Sequence, residues 1–450
     1  MAIEFLCFYD MIPRIFVIHN WIIRNFYIHI PFCRQKCPYC KFALTPIFDA
    51  SKKRRYMAHL KSEIRDSLLS SWGTVCDQRE PYPRMRASDE IGATHESGAD
   101  LPEKRADSSY RRNDKNNNTI YFGWGTPSVL TLEEVADILS CFEKSETTEV
   151  SFECNPEDVT SEYIEWLLNL GITRFSIWVQ SLNNATLWAI HRSDRESISH
   201  ALDAISDALL SFRRDPSLIR SWLWNKEDFY MSMGRDFFVP LRNDKIGISI
   251  NIDFILGLPF SRPWETLENI RELHARYPHI THTSVYMLEE GNYPKWWKEN
   301  SVDEEAIEKE YTEICHYFES LWWHHYEISN WAKPWYECQH NKGYWNHTDY
   351  RGFGLSSTSY ADGKRWENSH SFIWYYKWER KEEEILTDEQ IELEKIIFDT
   401  RTFSLDASRF EQEKIEKYRE QGYMLIKNGK IILTPAWIFR ENTIISELIP

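Results

Sequence analysis

"YIHIPFCRQKCPYCKF" (27–42) sets Cys33, Cys37 and Cys40 in a C-x3-C-x2-C pattern directly after a run of alternating aromatic and branched residues. "NFYIHIPF" (25–32) reads as a strand, so the three thiols arrive at its C-terminal end. The spacing is too short for ordinary disulfide staples, and three ligands leave a tetrahedral zinc site one short. The pattern therefore predicts a metal site with a vacancy. A structural zinc site completed by a ligand from elsewhere is the bland alternative.

Outward from the loop, "YMAHLKSEIRDSLLSS" has helical periodicity, and further on strands and helices alternate: "TIYF", "TLEEVADILSCF", "EVSFEC", "SEYIEWLLNL", "RFSIWVQ" and "ESISHALDAISDALL". "IGISINIDFIL" and "ITHTSVYML" follow as strands around the helix "ETLENIRELHARY". This alternation predicts an α/β fold with a parallel sheet and right-handed crossovers, open or closed into a barrel, with ligands at the C-terminal strand ends. Two polar, aperiodic insertions interrupt it, at about 73–118 and 211–243. The expected organisation is an N-terminal extension (1–24), a core (25–290), a linking region (291–380) and a C-terminal domain (381–450). The linking region contains an aromatic-rich stretch of little periodicity (322–378). The tail reads helix, helix, hairpin at Asn428-Gly429, helix, the outline of a small winged-helix-like module.

Composition narrows the function. The 450-residue chain carries a formal charge of −16 and only short basic runs, which argues against a nucleic-acid partner. Glu4, Asp10, Pro13 and Arg14 interrupt the apolar N-terminus, so neither a signal peptide nor an integral membrane segment is expected. Nine cysteines without an export signal imply a reducing, cytoplasmic setting. Cys7, Cys76, Cys141, Cys154, Cys315 and Cys338 read as structural or incidental.

C-x3-C-x2-C after a strand resembles the radical S-adenosylmethionine (SAM) proteins, and the stretch as a whole resembles their subgroup of oxygen-independent coproporphyrinogen oxidases and HemW-type haem chaperones. The resemblance covers about residues 25–445 outside the insertions. It implies a partial (β/α)6 radical SAM barrel followed by a small helical, winged-helix-like C-terminal domain. It also implies a 4Fe–4S cluster on Cys33, Cys37 and Cys40 whose open iron chelates SAM, with electron transfer yielding a 5′-deoxyadenosyl radical. "YFGWGTPS" (121–128) is similar to the family's glycine turn beside the methionine moiety. "FECNP" places Glu153, "FSIWVQSLNNATLWAIHR" places Gln180 and Arg192, and "NIDFILGLP" places Asp253, at positions the family uses toward SAM. Tyr27, Gly123, Gly125 and Thr126 complete the candidate SAM side.

Two departures turn the resemblance away from the oxidase branch: Phe42 stands where that branch has a fourth cysteine, and only 26 residues precede Tyr27. "HHYEISNWAKPWYECQHNKGYW" and "GFGLSSTSYADGKRWENS" resemble the HemW region, with H-N-x-x-Y-W at His340, Asn341, Tyr344 and Trp345. The resemblance makes His340, Tyr344 and Trp345 the haem candidates, whereas Thr358 replaces an additional family histidine. It implies haem or a porphyrin as ligand, with a one-electron reductant protein and a haem-receiving apo-protein as partners. A HemW-like haem chaperone is the first reading and radical decarboxylation of coproporphyrinogen propionates the second. A scaffold that has lost SAM chemistry is the third.

The tryptophans conflict with the rest. Trp124 and Trp178 occupy glycine positions of the motifs, as do Trp335, Trp437 and the Trp322-Trp323 pair, in a chain with 20 tryptophans and 16 glycines where glycine is usually ~7% of residues. An indole at 124 or 178 is expected to crowd a SAM site. A degenerate site, a site rebuilt around indole, and UGA codons meant as glycine but translated as tryptophan are the three explanations, and the last is favoured because all three cysteines are spared. Trp345 and Trp366 fall where the family itself has tryptophan.

Overall fold

A computed structural model describes residues 24–40, 45–46, 49–71, 118–145, 147–214, 247–288, 293 and 295–449. The N-terminal extension, Phe42, Cys7, Cys76 and nearly all of both insertions lie outside them. The chain forms two compact units. A cysteine unit comprises residues 30–325 and 329–339; a histidine unit comprises 1–29, 326–328 and 340–450.

In the cysteine unit, the strands Thr119–Gly123, Glu149–Cys154, Arg174–Gln180, Ser249–Leu256 and His282–Met287 lie parallel in sequence order, and Asn330–Ala332 adds antiparallel to the last. Helices connect them. Most of these strand residues are buried, as expected where parallel strands are covered on both faces. The helices start where the sequence offers caps: Thr131 and Glu134 form a capping box before Leu132–Leu139, and the Thr160 hydroxyl accepts the Tyr163 amide before Ser161–Asn169. Gly171, at φ +88, ends the latter. The strands thus deliver their C-terminal residues, among them Gly123, Glu153 and Gln180, to one end.

The histidine unit opens with Asn25–His29, which pairs parallel with Tyr350–Phe353; Thr358–Ala361, Lys364–Asn368 and Arg380–Ile385 continue antiparallel. Its C-terminal part holds the helices Asp388–Arg401, Gln412–Glu420 and Glu441–Leu448 around a three-stranded sheet. Asn428 and Gly429 turn the hairpin Met424–Lys427 to Lys430–Leu433 with both φ values positive. Trp437, fully buried, anchors this core with Ile415, Met424 and Ile431. The aromatic-rich stretch is more ordered than its lack of periodicity suggests, because strands of three to five residues are too short to show a repeat. Among the described residues no helix is long and apolar enough to cross a membrane.

Candidate functional site

The cysteine loop is fastened to the glycine turn. The Ile30 amide donates to the Gly123 carbonyl at 3.2 Å, and Cys33 Sγ lies 3.0 Å from Thr126 Oγ1. A Cβ on Gly125 would stand 1.7 Å from the Ile30 carbonyl oxygen and 2.9 Å from the Phe32 amide nitrogen, so only glycine fits this backbone-to-backbone contact. Cys33 and Cys37 are buried and Cys40 is half-buried, with the Cys40 amide closing a turn onto the Cys37 carbonyl at 3.0 Å. Burial pushes the Cys33 thiol up to about 11, against the Thr126 hydrogen bond and the nearby Arg192 guanidinium. Among the described residues no three His, Cys, Asp or Glu side chains stand ready as a metal cage. The loop therefore presents soft donors that a metal must draw together and deprotonate.

Glu153 is the last residue but one of its strand, beside the turn. Its carboxylate accepts from the Tyr121 hydroxyl at 2.8 Å and from the Trp124 amide at 2.9 Å. Burial pushes it up to about 8 despite both donors, with the Asp253 charge adding to the rise. A carboxyl that keeps its proton to about pH 8 folded, but only to ~4.3 unfolded, contributes stability that is full below the lower value and lost as pH rises through the upper one. The slope is at most ~1.4 kcal/mol per pH unit. In cofactor-free protein, Glu153→Gln is expected to flatten the fall in urea midpoint between about pH 5 and pH 8. Equal slopes in the two proteins would show that folded Glu153 is already ionised.

Strand register extends this polar site inward. Glu153, Ser176, Asn251 and His282 are successive register partners across four parallel strands. Asp253 accepts from the Ser176 hydroxyl (2.6 Å) and the Asn251 amide (2.8 Å), and burial nevertheless raises its pKa. Asn251 Oδ1, an acceptor only, lies 2.6 Å from His282 Nδ1, which therefore carries a hydrogen. The motif reading found Glu153 and Asp253 but missed Tyr121, Ser176, Asn251 and His282. Their period-2 spacing along otherwise apolar strands was the available signal.

Gln180 follows a register shift in its strand, has φ +63, and buries an Oε1 that has no partner; Asn155 Oδ1 is likewise buried and unpartnered. The strained backbone at Gln180, and unsatisfied acceptors there and on Asn155, whose side-chain amide donates to Thr126 Oγ1 at 3.3 Å, suit a site that completes its hydrogen bonds with a ligand. Arg192 donates weakly to the Trp178 carbonyl at 3.5 Å and lies over the Trp178 ring at 5.2 Å. Trp124 is 46% exposed, so its indole is not packed into the turn.

Tyr27 and the haem candidates belong to the histidine unit. His340 is buried, its Nε2 is 2.9 Å from the Tyr344 hydroxyl, and burial lowers it to about 3, leaving a neutral imidazole at neutral pH. Tyr27 lies 6.4 Å from His340, ring to ring. Trp345 is not brought to them: it meets Phe398 edge-on at 5.8 Å. The helix Gln339–Trp345 explains this, since positions four apart share a face and positions five apart do not.

Comparison with known proteins matches residues 27–214 to the model of the radical SAM superfamily. The chain is 27% identical over 362 residues to a protein named heme chaperone HemW from Synechocystis sp., covering 78% of this chain and 69% of the relative. It is 23% identical over 411 residues to heme chaperone HemW of Bacillus subtilis, covering 87% of each. The structure of the Escherichia coli radical SAM enzyme coproporphyrinogen III oxidase (HemN) superposes with a TM-score of 0.64 at 16% identity, over 94% of this chain and 89% of that one, a likeness of fold.

Proposed function

Starting from a chain that is a radical SAM protein of the HemW and coproporphyrinogen oxidase type, we propose a HemW-like haem-binding protein that uses a 4Fe–4S cluster and SAM. Superfamily membership implies both cofactors. Cys33, Cys37 and Cys40 hold the cluster in this reading, the donor set fitting because three thiols share one loop with a guanidinium in electrostatic range. Gly123, Gly125 and Thr126 form the close-approach wall, while Glu153, Gln180, Arg192 and Asp253 offer the polar groups. When bound and reduced, the cluster supplies the electron that splits the SAM sulfonium. Glu153, whose pKa burial raises, would give up its proton more readily beside a cationic ligand group. Gln180 Oε1 gains the partner it lacks.

His340 carries the haem part of the reading. A histidine held neutral by burial has the protonation state that holding an iron would need, and Tyr344 and Tyr27 supply rings beside it. In this reading His340 would give up the Tyr344 hydroxyl at Nε2 in order to hold haem. Delivery of haem to an apo-protein in the cytoplasm, with a one-electron reductant protein as partner, completes the proposal. Titration of anaerobically prepared protein with haem is expected to give a hexacoordinate or histidine-type spectrum that His340→Ala loses, with affinity falling at least ~10-fold. Unchanged spectra would overturn the assignment. Consumption of coproporphyrinogen on reduction would instead make the chain an oxidase.

A further inference from the structure

Thirteen non-glycine described residues have positive φ, and five of them are tryptophan: Trp124, Trp264, Trp322, Trp335 and Trp378. The others are two phenylalanines and six polar residues. The left-handed region favours glycine and tolerates Asn, Asp and His; a bulky aromatic there is an outlier. Packing does not compensate, because these five side chains are 40–93% exposed. Indoles normally contribute by burying large apolar area.

Four of the five positions belong to turn types that favour glycine. After the helix Glu304–Ser320, the Trp322 amide donates to the Glu319 carbonyl and the Trp323 amide to the Phe318 carbonyl. Gly171 and Gly422 close their helices with the same pair of bonds: Gly171 to Leu168 with Ile172 to Leu167, and Gly422 to Arg419 with Tyr423 to Tyr418. Trp378 repeats the arrangement, to Tyr375, with Glu379 to Trp374. A Cβ on Gly422 would meet nothing within 4 Å, yet φ there is +83, so backbone conformation rather than room decides the residue at such a site. His191 and His347 fill two further closures of this kind, and histidine is a residue that tolerates them. Trp335 and Trp264 each follow a proline and sit third in a four-residue turn, closed by Tyr336 to Lys333 and by Glu265 to Arg262. Trp264 has φ 69 and ψ 0, the third position of a type II turn, which calls for glycine after proline. Trp124 lies between Gly123 and Gly125.

We infer that positions 124, 264, 322, 335 and 378 are glycine in the polypeptide its native cell makes, their codon being read there as glycine. Backbone geometry alone carries this, whatever the site binds. Three of these positions had a motif-based signal; Trp264 and Trp378 are added by the structure alone. Trp345, inside a helix, and Trp366, inside a strand, carry no such signature and serve as internal controls.

Peptide mass spectrometry of the protein isolated from its own cells tests this. Peptides covering the five positions are expected at the glycine mass, with Trp345 and Trp366 at the tryptophan mass; an indole mass at any of the five overturns the inference. A second measurement uses recombinant chains. The fivefold Trp→Gly variant is expected to melt several degrees above the chain as written, and Gly171→Trp or Gly422→Trp to melt below it. A fivefold variant that melts lower also overturns it.

Discussion

Cys37→Ala is expected to abolish both iron–sulfur absorption after anaerobic reconstitution and the release of 5′-deoxyadenosine from SAM under reduction. Three thiolates are the minimum that holds a cluster with one open iron, so losing one removes the site rather than weakening it. Cys37 is buried, and the turn to Cys40 closes on its backbone carbonyl, which alanine keeps, so the substitution removes the thiol and leaves the loop's hydrogen bond in place. Cys154→Ala is the control. That thiol is buried in the sheet with its pKa raised by burial, and its loss removes a small apolar contact while leaving the cluster intact. A Cys37→Ala protein that still cleaves SAM would show that the ligands lie elsewhere.

Gly125→Ala is expected to produce the second largest effect, and by a different route. The added methyl would stand 1.7 Å from the Ile30 carbonyl oxygen, and its neighbours are backbone atoms with no rotamer to change. Either the glycine turn or the start of the cysteine loop must move, costing about 3 kcal/mol, the upper part of what overpacking usually costs. The displacement also breaks the geometry that puts Thr126 Oγ1 on Cys33 Sγ. Urea denaturation followed by circular dichroism should show an earlier loss of structure, and reconstitution should incorporate less iron than in the parent. A midpoint equal to the parent's would mean that the two backbones are not in contact. Gly429→Ala provides the contrast, since a Cβ there meets nothing within 4 Å and only the positive φ is strained.

Much of the cysteine unit was legible because its signals are local. The apolar runs bounded by turn residues became the strands Thr119–Gly123 through His282–Met287, and the helical stretches starting at Thr131 and Ser161 became the helices Leu132–Leu139 and Ser161–Asn169. The three cysteines, Glu153 and Asp253 could be singled out from motifs. Their partners could not. Tyr121 reaches Glu153 across 32 residues, and Ser176 reaches Asp253 across 77, separations that no local period encodes. The helix Gln339–Trp345 likewise separates Trp345 from His340 and Tyr344, although all three belong to one short motif. The glycine-like tryptophans fall between these cases: composition and motif showed that something was amiss, and dihedral angles showed where.

By itself, the sequence determined the alternation of strands and helices, the placing of three thiols in one loop after a strand, and the resemblance to radical SAM proteins. These follow from hydrophobic period, turn residues and ligand spacing, all expressed within a few residues of chain. Only the tertiary structure decided that Gly125 seats the cysteine loop against the glycine turn, that a row from Glu153 to His282 lines up across four strands, and that Tyr27 stands beside His340. Register and packing between distant segments set those relations, and burial in the assembled core then sets the protonation of Glu153 and His340.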